Sequence, residues 1–339
     1  MVPSFFNQGS QKMEKIFDVS TVCNALMDIL VNASERDIQH FGLSKGIMHL
    51  VDQHRQIEIL SYLSSHPQTV ELGGSSLNAL RALNALGRRT LFAGSVSDDE
   101  FGHAIKARMN ELEIEHRLGV TSGGTGTCVI LITPDGERTM NTCLGASRLY
   151  GGQIIPHQEI AQSKVFHFCG YQWDSEGQKQ GISEALSTAS RNGTLVSFDL
   201  ADPFVVRANR EAFIKMITDY PGIVFCNEEE SRLLFETSPE DAAHRISQLG
   251  AIAVVKLGAK GALIQKGNLK IKIEPVSTQV IDTTAAGDMF AGGFLYGFTS
   301  GYDLKTCGKI AATLASDVIS RNGARLSDEV ITKVRMMKE

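Results

Sequence analysis

The chain has 339 residues, 42% hydrophobic and 21% charged, which excludes a disordered chain and allows a large core without disulfide staples. Its 33 basic and 38 acidic side chains leave a net charge of −5, the wrong sign for a generic nucleic-acid binder or a ligand of anionic membranes. An anionic substrate would therefore need a local device such as a helix N-terminus.

Residues 1–14 read as a flexible leader, with Met13 a second plausible start. From Lys15 onward, apolar β-branched runs at 15–22, 90–96, 125–133, 164–170, 194–200, 222–226 and 251–257 predict strands. Amphipathic stretches at 76–86, 99–111, 175–191, 204–218 and 239–249 predict helices between them. The last 50 residues or so, at 287–299, 303–320 and 327–337, read as helices. Strands alternating with helices imply crossover connections, hence a mainly parallel sheet with helices on both faces. Short strands near 26–32, 46–52 and 69–72 break this rhythm. So does a hairpin over 125–145, whose Pro134-Asp135-Gly136 supplies a turn with fixed and positive φ. These pieces predict a small β lid on one domain spanning 15–339.

The six cysteines, at 23, 128, 143, 169, 226 and 307, form no CxxC pair and sit mostly in apolar runs. They read as reduced core thiols of a cytoplasmic protein. No apolar run is long enough to span a membrane. The nine histidines show no zinc spacing, there is no Walker phosphate loop, and no GxGxxG follows an early strand.

Five segments carry chemistry. In IDTTAAGDMFAGGF, small residues Ala285, Ala286 and Gly287 lead into a helix whose first amides lack intrahelical partners. Asp288 lies beside that anion site, where a carboxylate could deprotonate a hydroxyl. In GGSSLNALRALNALG, Gly73 and Gly74 let a ligand approach the main chain, and Asn78 offers a donor and an acceptor. Asn24 and Asp28 follow the first strand, and a carboxylate can grip vicinal hydroxyls. Asn227 and Glu230 stand where a strand runs into a helix, a usual place for ligand groups in α/β proteins. Lys256, Gly258 and Gly261 surround a turn between two strands. Each segment alone also has a plain structural reading as a cap or a turn.

In this order and spacing the segments resemble the ribokinase (phosphofructokinase-B) family of carbohydrate kinases. DTTAAGDMFAGGF resembles its C-terminal signature, GGSSLNALRALNALG its N-terminal one, and NEEE its Asn-x-x-Glu motif. The segments KGIMHLV, PDGERTMNTCLGAS and ASDVISRNGAR look most like its bacterial adenosine-kinase-like branch. The resemblance implies a three-layer α/β/α domain with a mainly parallel central sheet and a β-sheet lid. It also implies ATP-dependent phosphorylation of a primary hydroxyl in the cytoplasm. Asp288 would be the general base, and the amides of Ala285, Ala286 and Gly287 the anion hole. Asn24, Asp28, Gly73, Gly74, Asn78 and Asn141 would hold the substrate. Asn227, Glu230, Lys256, Gly258 and Gly261 would meet the nucleotide, with Glu230 acting on Mg2+ through water. Asp282 and Thr284 would bind a monovalent cation such as K+. Lys256 stands where a threonine often meets ATP phosphates, and Cys23 where a glycine is usual.

Adenosine is the first choice of acceptor and purine salvage the expected role. Ribose, fructose or a related sugar is the alternative, and a non-catalytic ligand-binding protein the remote one. Partners are expected to be small molecules, without nucleic acid or membrane, the chain being a monomer or a homodimer joined through its lid.

Overall fold

A computed structural model describes residues 14–321 and 323–337. All but Glu14 of the expected leader, including Met13, lies outside the described residues.

Two sheets organise the chain. The larger has nine strands in the order β14-β13-β12-β11-β10-β9-β1-β5-β6. Its parallel part comprises β1 (Phe17–Val22), β5 (Thr90–Val96), β6 (Glu115–Val120), β9 (Ser163–Cys169), β10 (Leu195–Asp199), β11 (Ile223–Asn227) and β12 (Ile252–Lys256). Two antiparallel strands, β13 (Ala262–Lys266) and β14 (Leu269–Ile273), complete one edge. Central strands buried on both faces read as unbroken apolar runs, which is why β5, TLFAGSV, has no exposed position.

Helices α3 (Ser75–Ala85), α4 (Glu100–Glu111), α10 (Ala286–Thr299), α11 (Leu304–Val318) and α12 (Asp328–Met336) belong to the core on one side of this sheet. On the other side lie α5 (His157–Ala161), α6 (Glu176–Arg191), α7 (Pro203–Asp219), α8 (Glu228–Phe235) and α9 (Pro239–Gln248). The architecture is the expected three-layer α/β/α arrangement. Among the described residues no helix is long and apolar enough to cross a membrane.

The smaller sheet is the lid, in the order β3-β8-β7-β2-β4. It comprises β2 (Leu26–Asn32), β3 (Met48–Leu50), β4 (Gln68–Gly73), β7 (Gly126–Ile132) and β8 (Arg138–Cys143). The β7–β8 turn is the expected one: Gly136 has φ +81° and its amide donates to the Thr133 carbonyl at 2.8 Å. Side chains alternate across the lid. Ile29, Val31, Val129 and Leu131 join a small core with α1 (Glu35–His40) and α2 (Gln53–Tyr62), built on Ile38, Phe41, Ile59 and Leu63. Leu26, Asp28, Cys128 and Ile130, together with Arg138 and Met140, face the cavity beneath.

The six cysteines are free thiols, as expected, and all but Cys143 are buried.

Candidate active site

A cavity of about 690 Å³ lies between the lid and the C-terminal ends of β1, β9, β10, β11 and β12. That is the sheet edge where α/β folds place ligands. Two helix N-termini meet at its floor. Gly292 lets α3 and α10 touch, since a Cβ there would come within 2.7 Å of the Ala79 carbonyl oxygen. The contact brings Ser75 and Asn78 onto Asp288. Ser75 Oγ donates to Asp288 Oδ1 at 2.6 Å, and Asn78 Nδ2 donates to Oδ2 at 3.0 Å.

Asp288 lines the cavity and is partly exposed to it. Burial pushes its carboxyl above the usual carboxylate range, and the hydrogen bonds from Ser75 and Asn78 pull against that shift. Ala285 caps α10 in the left-handed region at φ +56°, a strained conformation for a residue with a Cβ. The Ala286 amide is turned toward the Thr283 carbonyl at 3.3 Å. The next two amides, of Gly287 and Asp288, have no backbone acceptor among the described residues and open the helix dipole to the cavity.

Across the cavity Asp28 projects from β2. Burial pushes its carboxyl up to about 7, with the Arg138 and Arg81 guanidinium groups opposing the shift. Gly73 does not line the cavity. Its missing side chain makes room for Asp28, whose Oδ1 would lie 2.1 Å from a Cβ there. Gly74, at φ +105°, does line it, and a Cβ would meet the Asn24 carbonyl oxygen at 2.6 Å. Asn24 also lines the cavity, its Oδ1 accepting from Gln178 Nε2 at 2.8 Å.

Asn141 is elsewhere. Arg138, Met140 and Thr142 of β8 face the cavity, so the period of two turns Asn141 to the opposite, buried face. There its Nδ2 donates to the Val129 carbonyl at 3.3 Å.

At the far end stand Asn227 and Glu230. They form a reciprocal cap on α8: Asn227 Oδ1 accepts from the Glu230 amide at 2.8 Å, and Glu230 Oε2 accepts from the Asn227 amide at 2.8 Å. Burial pushes the Glu230 carboxyl up to about 7, against the pull of Lys256. Lys256 lines the cavity and pairs with Asp199, Nζ to Oδ2 at 2.9 Å. Gly258 lies on the wall, whereas Gly261 faces the Ile273 carbonyl and does not line the cavity.

The expected monovalent-cation pair is divided. Thr284 lines the cavity, but Asp282 is behind the wall and already neutralised by Arg138. Asp282 also accepts from the Thr284 amide at 2.9 Å and the Gly323 amide at 2.8 Å. A carboxylate satisfied in this way does not fit a K+ site.

Three contributors went unrecognised in the sequence: Ser75, Arg138 and Asp199. Arg138 is only 7% exposed, and its Nε and Nη1 have no partner among the described residues although it borders the cavity. Buried donors of this kind call for an acceptor.

Similarity to known proteins gives the family of the fold. The pfkB family carbohydrate kinase profile matches residues 61–331, well over half the chain. The chain belongs to the pfkB family of carbohydrate kinases. It is 31% identical over 251 residues to an uncharacterised sugar kinase of Archaeoglobus fulgidus, covering 72% of this chain and 96% of that one. Two solved structures are each 32% identical and match 95% of this chain: a probable sugar kinase of Rhizobium etli CFN 42 and the adenosine kinase of Sinorhizobium meliloti. Their TM-scores are 0.90 and 0.88, and 98% and 99% of their own lengths are covered. The pfkB kinase is thus a phosphotransferase acting on a hydroxyl group of a carbohydrate or nucleoside, and its family uses ATP, normally with Mg2+.

Proposed function

We propose that this kinase transfers the γ-phosphate of ATP to the primary 5′-hydroxyl of a nucleoside, with adenosine the favoured acceptor and AMP the product. The observation that carries this reading is Asp288, held by two hydrogen bonds beside unpartnered helix-N-terminal amides, in one cavity with Asp28. A base and an anion site within reach of each other suit in-line transfer.

In this reading Asp28 and Asn24 orient the ribose hydroxyls, and Gly74 lets the sugar lie against the main chain. Asp288 takes the 5′-hydroxyl proton as the oxygen attacks the γ-phosphorus. The Gly287 and Asp288 amides donate to the phosphoryl oxygens and stabilise the charge that develops there. Arg138 brings two unpartnered buried donors to the same wall. Magnesium fits as an ion carried by the triphosphate, because among the described residues no three His, Cys, Asp or Glu side chains converge on a cation. Glu230, with Asn227, would hold it through metal-bound water, and the ion would neutralise charge on the β- and γ-phosphates.

The cavity walls favour a nucleoside over a free sugar. Leu26, Met48, Ile130 and Met140 from the lid face Tyr171 and Trp173, which follow β9. A sugar bears hydroxyls on every side and would set them against these apolar groups, whereas a flat base covers them. ADP release over a panel of adenosine, other nucleosides, ribose, fructose and fructose phosphates tests this. Adenosine should give the largest kcat/KM. A dominant free sugar would replace the acceptor with the sugar alternative, and release independent of every acceptor would contradict phosphoryl transfer to an alcohol.

A further inference from the structure

The cavity holds more buried negative charge than a nucleoside triphosphate tolerates unaided. Asp28, Asp199, Glu230 and Asp288 all border it; of its three cations, Arg138 is paired with Asp282 and Lys179 with Glu176. The third is Lys256. It ends β12 opposite Asn227 of β11, beside the strand end that starts α8. Its ammonium accepts no proton from the cavity but offers three N–H donors. Asp199 takes the ammonium through Oδ2 at 2.9 Å and, less closely, Oδ1 at 3.3 Å. Asp199 is 3% exposed and Lys256 17%. The same carboxylate is locked by the Ala201 amide, which donates to Oδ1 at 3.1 Å. The ammonium therefore has a fixed address, and that address is the anion hole. A methyl group added at Gly287 would lie 3.2 Å from Lys256 Nζ. No other described ammonium or guanidinium lies against that glycine.

We propose that Lys256 is a catalytic residue of the phosphoryl transfer, its ammonium bonding the non-bridging oxygens of the transferring group at Gly287, and that Asp199 is the positioning residue that aims it. The proposal rests on the kinase reading above and adds a charge to it. In the step, the acceptor oxygen forms its bond to the γ-phosphorus and the bond from that phosphorus to the β–γ bridging oxygen breaks. The bridging oxygen leaves with its electron pair on ADP. The hydroxyl proton goes to Asp288. Lys256 keeps all three of its protons throughout. Burial alone would favour a neutral lysine, but the neighbouring Asp199 and Glu230 carboxylates outweigh it and hold the amine above its ordinary range. The charge is thus already present when the triphosphate arrives, at no cost in reorganisation.

The test compares wild type with K256M, K256R, D199N and the double variant D199N/K256M. The double variant removes both buried charges together, so its fold does not depend on an unpaired Asp199. Two readouts are taken: steady-state kinetics with the best acceptor of the panel, and calorimetric binding of Mg·ADP with and without AlF4−. K256M and the double variant should lose about 10²–10³-fold in kcat, the range for one oxyanion-type donor, with KM for the acceptor changed less than threefold. Both should bind Mg·ADP nearly as wild type does but lose the extra affinity that AlF4− confers. K256R should recover part of kcat, and D199N should lower kcat about tenfold with KM unchanged. A folded double variant within threefold of wild-type kcat, or one that keeps the AlF4− gain, overturns the role of Lys256. A D199N enzyme with unchanged kcat overturns that of Asp199. A wild-type chain without ATP-dependent transfer to any acceptor overturns the kinase reading, and this proposal with it.

Discussion

Asp28 makes acceptor binding depend on pH near neutrality. Its carboxyl titrates at about 7 because it sits under the lid, where burial penalises the charge more than Arg138 and Arg81 favour it. The ionised form offers both oxygens as charged acceptors to two hydroxyls, and protonation turns one of them into a donor, so the acceptor should bind well above pH 7 and poorly below it. With a titration at about 7, the dissociation constant relative to its alkaline limit should be about 1.1-fold at pH 8, about twofold at pH 7 and about 11-fold at pH 6. The assay is calorimetric titration of adenosine into the free enzyme, without nucleotide, so that the chemistry of Asp288 does not enter. Asp28→Asn should weaken binding at pH 8 and flatten the profile, since an amide does not titrate. A wild-type dissociation constant constant from pH 8 to pH 6, or a pH dependence that persists in Asp28→Asn, would refute the assignment.

Three further outcomes follow from the same geometry. Ser75→Ala removes a hydrogen bond that favours the ionised form of Asp288. It should lower kcat about tenfold and move the acid limb of kcat to higher pH, as read from a pH–rate profile. Arg138→Met strands Asp282, which is 2% exposed, and should cost about 3–5 kcal/mol in urea unfolding, with much of that restored in R138M/D282N. Gly74→Ala forces a Cβ against the Asn24 carbonyl at a positive φ. It should lower both the melting temperature and kcat/KM, and an unchanged enzyme would show that this close approach is not needed.

Much of the fold was legible because its core strands and helices carry strong periodicity. The predicted strand at 90–96 is β5 itself, and the helices predicted at 76–86 and 287–299 are α3 and α10 within a residue. What escaped was weakly patterned. Strand β6, EHRLGV, is a sheet edge with three charged or titratable residues in a row and no apolar run. Helix α2 has only Gln56 and Ile59 fully buried, too faint a stripe to read, although it completes the lid core. The site divides in the same way. Asp288 and Asn78 lie in glycine-rich segments whose local chemistry marks them, and Asp28 follows Asn24 just after the first strand. Ser75, Arg138 and Asp199 are single residues given their neighbours by topology: Arg138 meets Asp282 across 144 residues and Asp199 meets Lys256 across 57. The family resemblance puts Asn141 among the substrate residues, but the alternation of β8 turns it away.

The claim on which the rest depends is that Asp288 takes the acceptor proton. Asp288→Asn tests it most directly, because the amide retains the shape: its Oδ1 can accept from Asn78 while the Ser75 hydroxyl turns to accept from its Nδ2. Measured together, kcat should fall about 10²–10⁴-fold while the adenosine dissociation constant and the melting temperature stay close to wild type. An Asp288→Asn enzyme that turns over within threefold of wild type would contradict the account.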